Sequence, residues 1–95
     1  MAAIDIVGNT VIVNAAGTMP EAFSSIEIAS ASVWWVSTLG DIQIVDIATA
    51  TLFVRRFRVD RSGLAPFSEW VGMDGRYGRL SFNVVTAGTL TFTLA

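Results

Sequence analysis

The stretch IDIVGNTVIV, Ile4 to Val13, sets the terms for the whole chain. Two short runs rich in β-branched residues flank Gly8-Asn9. A glycine at the first position of a two-residue loop suits a type II′ turn, whose twist matches that of the strands it joins. That turn sets Val7 opposite Thr10, Ile6 opposite Val11 and Ile4 opposite Val13. Ile4, Ile6, Val11 and Val13 then share one face. The same alternation, punctuated by glycine, recurs along all 95 residues. No apolar stripe at helical spacing lasts beyond a turn or two. The chain is therefore expected to be all-β: a single-domain antiparallel β-sandwich or jelly-roll-like barrel of about eight strands, spanning residues 1–95.

Two further hairpins are expected. In LSFNVVTAGTLTFTL, a two-residue loop at Ala87-Gly88 would face Asn83 with Phe92. A three-residue loop with Gly88 left-handed instead sets Leu80, Phe82 and Val84 opposite Leu94, Phe92 and Leu90. This second register collects Ser81, Asn83, Thr91 and Thr93 on the other face and separates apolar from polar better, so it is preferred. In SVWWVSTLGDIQIVDI, a turn at Gly40-Asp41 pairs Leu39 with Ile42 and Val36 with Val45. Trp34, Val36, Val45 and Ile47 then share one face, and Val33, Trp35, Leu39, Ile42 and Ile44 the other. Both faces are apolar, whereas a half-solvated sheet alternates. One face is expected to meet the core and the other a second subunit. Val33, Trp34, Trp35, Val36, Ile42 and Ile44 are accordingly candidate interface residues. SGLAP, Ser62 to Pro66, reads as an irregular loop. In GTMPEAF, Pro20 and Glu21 are placed to open one short helical turn.

Composition narrows the chemistry. The apolar fraction is 53% and the charged fraction 15%, against about 25% charge in typical soluble chains. Mean hydropathy is +0.60. No apolar run approaches the roughly 20 residues of a membrane helix, and MAAIDIV lacks the basic stretch that opens a signal peptide. A soluble protein made in a cytoplasm is expected, too apolar to be comfortable alone. There is no cysteine and no histidine, so no disulfide, thiolate metal site or imidazole base is available. The eight acidic residues are scattered, and no serine has a histidine to activate it. No enzymatic activity, catalytic residue, metal or cofactor is expected.

TLFVRRFRVDR, Thr51 to Arg61, gathers four of the six arginines into seven positions, and the chain has no lysine. As a strand it places Phe53, Arg55, Phe57 and Val59 on one face. Arg55 stands between phenylalanines, so it is expected to be at least half buried against a carboxylate, with Asp46 and Glu27 as candidates. Arg56, Arg58 and Asp60 lie on the other face. Arg55, Arg56, Arg58 and Arg61 are read as interface or ion-pair residues. The rival reading is an acidic or phosphate-bearing partner. A net charge of −2 and a pI near 4.7 disfavour nucleic acid.

EWVGMDGRYGRL, Glu69 to Leu80, suggests a type I′ turn at Asp74-Gly75, with Met73 opposite Arg76 and Trp70 over Arg79 in a cation–π contact. Its glycines lack the GK[ST] of a phosphate loop. Trp70, Asp74, Arg76, Tyr77 and Arg79 form a candidate recognition loop, and Trp70 with Tyr77 is the platform a glycan would use. Trp34 and Trp35 point to opposite faces and cannot form one.

In general character, carried by stretches such as SFNVVTAGTLTFTLA and IEIASASVWWVS, the chain resembles the small all-β accessory virion proteins of tailed bacteriophages: capsid decoration (cement) proteins and head-fibre or tail structural subunits. The resemblance implies a homo-oligomer, often a trimer, docked on a capsid or tail. It implies a virion location after assembly in the host cytoplasm; neither nucleic acid, by the charge balance, nor a membrane, by the lack of a long apolar run, is expected as a partner. A carbohydrate-binding or adhesion module is the alternative.

Overall fold

The computed structural model describes residues 2–48, 53–60 and 65–95. Among them the strands are β1 (Ile4–Val7), β2 (Thr10–Val13), β3 (Gly17–Thr18), β4 (Ile26–Trp35), β5 (Leu39–Asp46), β6 (Phe53–Asp60), β7 (Phe67–Val71), β8 (Gly75–Tyr77), β9 (Leu80–Thr86) and β10 (Gly88–Leu94). One 3-10 turn, Glu21–Phe23, opens after Pro20, where the sequence places it. Ten strands replace the expected eight or so, and they are all antiparallel. One sheet runs β1-β2-β10-β4-β7, with β8 continuing beside β4; the other runs β3-β9-β5-β6. The two pack face to face as a sandwich. The core takes Val33, Trp35, Leu90 and Phe92 from the first sheet and Ile42, Ile44, Leu80 and Phe82 from the second. Burying a side chain of this size contributes about 1.5–3 kcal/mol.

The first hairpin has the expected register, Ile4 with Val13 through Val7 with Thr10. Gly8 has φ +61° while Asn9 is not left-handed, as a type II′ turn requires. The two further hairpins do not form, and neither does the one implied by a turn at Asp74-Gly75. β4 and β5 belong to different sheets, as do β9 and β10. The chain crosses the sandwich at Val36–Thr38 and again at Ala87. Ala87, not Gly88, takes the left-handed conformation, with φ 58°.

Gly40 and Gly88 have another role than turning the chain. A Cβ on Gly40 would stand 2.5 Å from the Trp35 ring, and one on Gly88 2.8 Å from it. The two glycines make room for the indole, which is fully buried. The Trp35 N–H finds no acceptor among the described residues.

β7 and β8 both pair with β4 rather than with each other. Gly72–Asp74 bulges between them and drops Met73 into the core. Arg79 donates from Nε to the Met19 carbonyl at 2.8 Å and makes no cation–π contact with Trp70 among the described residues. One β9 residue also departs from expectation. The ladder to β5 shifts between Gln43 and Ile44, leaving Asn83 unpaired. Val84 therefore turns outward, and Val85 packs on the core instead.

Candidate functional site

β6 is the last strand of its sheet. Alternation puts Phe57 and Val59 against the core and Arg56, Arg58 and Asp60 outward. Arg55 is on the inner side but reaches out past the edge and is exposed. Its Nε donates to the Gly72 carbonyl at 3.1 Å and its Nη1 to the Val54 carbonyl at 2.9 Å. The expected burial is overturned, and within the chain Arg55 contacts carbonyls rather than a carboxylate among the described residues. At a sheet edge the long side chain can snorkel to water and clip the opposite sheet's bulge on the way. Of the proposed partners, Glu27 pairs with Arg76 at 3.0 Å. Asp46 accepts from the backbone N–H of Ala48 and Gly78 at 3.0 and 2.8 Å. Arg61 and the first three residues of SGLAP, Ser62, Gly63 and Leu64, lie outside the described residues.

Arg56 forms a two-pronged pair with Asp41, Nε to Oδ1 and Nη2 to Oδ2, each 3.1 Å. Gln43 Nε2 donates to the same carboxylate at 2.8 Å. The hydrogen bond from Arg56, aided by Gln43 and by the charge of Arg56 and Arg58, holds the Asp41 carboxyl below the ordinary aspartate range. Arg58 stands opposite Asp41 in the ladder, yet makes no ion pair or hydrogen bond among the described residues. Asp41, Arg56 and Arg58 border a shallow groove of about 320 Å³ on the outer face of the four-stranded sheet, with Leu39, Val84 and Thr86 among its other walls. Leu39 is 61% exposed. Sequence reasoning missed Leu39, Asp41, Val84 and Thr86. Asp41-x-Gln43 at strand spacing was the available signal, hidden by reading Asp41 as a turn residue.

The outer face of the six-stranded sheet is different. Trp34 stands opposite Ser68 and Thr89, and Trp70 opposite Ser32. The two indoles are therefore diagonal neighbours across β4 and β7, within reach of each other on one face. Trp70 is 80% and Trp34 46% exposed. The outward positions around them are Ser30, Ser32, Ser68, Thr89, Thr91 and Thr93. Among the described residues charge enters this face only at its margins, as the Glu27–Arg76 pair on one end and Asp5 on the far strand. Val36 is also exposed.

The candidate residues thus divide. Val33, Trp35, Ile42 and Ile44 are core, not interface, because the expected hairpin opens into two strands facing each other across the sandwich. Trp34, Val36, Arg55, Arg56 and Arg58 remain at the surface. The recognition loop disperses. Asp74 is exposed on the bulge, while Tyr77 packs inward and donates from its hydroxyl to the Met73 carbonyl at 3.0 Å. Trp70 and Tyr77 lie on opposite faces, so they form no common platform. Among the described residues no three acidic, histidine or cysteine side chains gather to hold a metal, and no helix is long and apolar enough to cross a membrane.

Comparison with protein-family models, curated proteins and solved structures finds no match for the chain.

Proposed function

We propose that this chain is a non-enzymatic structural protein that self-associates and docks on a larger assembly, of the kind that decorates or completes a tailed-phage virion. One observation carries the reading. Trp34 and Trp70 are exposed side by side on a sheet face whose centre bears hydroxyls and no charge. Interface centres are enriched in aromatic residues and depleted of charge, and tryptophan is a frequent energetic anchor there. Two of the edge strands, β6 and β7, are protected against strand addition. β6 and β7 carry Arg55 and Glu69 on their inner sides, and inward-pointing charge at an edge strand discourages pairing with another chain.

Native mass spectrometry of the purified chain tests this. The expected species is a closed homo-oligomer, a trimer by the virion analogy, which the Trp34→Ala/Trp70→Ala double variant converts to folded monomer. A wild type that is monomeric at micromolar concentration would sink the self-association reading. The same indole pair amid serine and threonine also suits sugar stacking, which keeps a glycan-binding module as the second reading. Glycan-array binding by a monomeric wild type, lost in the double variant, would favour it.

A further inference from the structure

We infer that the groove between Leu39 and Arg58, on the outer face of the four-stranded sheet, seats an acidic side chain of a protein partner, with an apolar neighbour of that residue packed beside it. The inference rests on the docking reading above and names the chemistry that docking would use. Arg56 and Asp41 satisfy each other through two hydrogen bonds, and Gln43 takes a further position on the same carboxylate. That carboxylate is thereby fixed and occupied. Arg58, next to it in the ladder, lends that carboxylate its charge but is left without an ion pair or hydrogen bond among the described residues.

The surroundings select the anion. Arg58 stands on a rigid strand with the exposed Leu39 and the outward Val84 nearby and the Thr86 hydroxyl at hand. A guanidinium beside apolar surface is less well hydrated than one in open solvent, and its planar fork matches a carboxylate two-pronged. Leu39 and Val84 offer apolar contact to the residue next to that carboxylate. One such arginine in the groove, on a chain of net charge −2, does not make the extended basic surface a polynucleotide uses. Val84 reaches the groove only because the ladder shift at Asn83 turns it outward, so the apolar wall is a product of the bulge.

The test uses the full chain, isotopically labelled, titrated with an end-blocked peptide of alternating glutamate and leucine and followed by amide NMR. Saturable shifts are expected at Leu39, Asp41, Arg58, Val84 and Thr86, weakening as salt is raised. Arg58→Glu should weaken binding by roughly tenfold or more, the loss of a charge-assisted contact, with the remaining spectrum unchanged. Arg58→Lys should retain part of it. A lysine–leucine peptide should leave these amides unmoved. Shifts scattered over the surface, or equal binding by wild type and Arg58→Glu, would overturn the inference. So would a duplex oligonucleotide bound at physiological salt and lost in Arg58→Glu, which would assign the groove to phosphate. An intact oligomer with a silent groove removes only this inference. A monomeric chain whose groove still takes the glutamate peptide removes the self-association reading instead.

Discussion

The rings of Phe82 and Phe92 lie 6.1 Å apart at a tilt of 34°, one from each sheet. They meet across the interior rather than along a ladder, so they are a direct link between the two layers. Phe82→Ala or Phe92→Ala should each lower stability by about 3–5 kcal/mol. The double variant should lose less than the sum, because the second truncation removes a contact already broken. Urea denaturation of the four proteins measures this. Two small, additive losses would mean that the layers do not depend on the pair.

Gly40 and Gly88 should resist substitution because of Trp35. Gly40→Ala places a methyl 2.5 Å from the ring and 2.8 Å from the Thr86 carbonyl. An overpacked core of this kind costs about 1–3 kcal/mol. Trimming the ring in a Gly40→Ala/Trp35→Leu double variant should recover part of the added methyl's cost. If Gly40 were instead a turn residue, no change at Trp35 would relieve it. Thermal melts of the two singles and the double decide between these.

The three tryptophans should divide two to one. Trp35→Ala should cost about 3–5 kcal/mol, in the manner of buried aromatic truncations. Trp34→Ala and Trp70→Ala should stay within about 0.5 kcal/mol of wild type, as exposed positions do, while lowering the oligomer mass. Denaturation curves alongside light scattering separate the two effects. A loss at Trp34 as large as that at Trp35 would place both rings in one core.

Acid should erase the benefit of the Asp41–Arg56 pair. Asp41 titrates below its ordinary value in the folded chain, mainly because Arg56 hydrogen-bonds the charged form. A depressed carboxyl stabilises the fold above its unfolded-state pKa, and the contribution disappears as pH falls through the folded one. Arg56→Ala should therefore melt slightly below wild type at neutral pH, and the two should converge under acid, below the usual aspartate range. The gap should also shrink in high salt, since both groups are partly solvated. A gap that persists in acid would assign the role of Arg56 to the packing of its stem.

Residue order alone sorts side chains onto faces, though not which face goes inside. Alternation puts Val33, Trp35, Ile42, Ile44, Leu80, Phe82, Leu90 and Phe92 on apolar faces, and all are buried, but for the first four it leaves a core and a second subunit equally open. The Gly8-Asn9 turn was equally legible, because a two-residue loop fixes register locally. Period-two alternation says which way a side chain points but not which strand lies beside it. Val33 and Ile42 satisfy the same pattern whether they share a ladder or face each other across a sandwich. The tertiary structure chose the second, with Trp35 lodged against Gly40 and Gly88 where two turns had been expected. It also decided the candidate groove. Leu39, Asp41, Arg58 and Val84 come together only after β5 pairs with β6 on one side and β9 on the other, and after a ladder shift turns Val84 outward. These are contacts between segments distant along the chain, and local alternation carries no record of them.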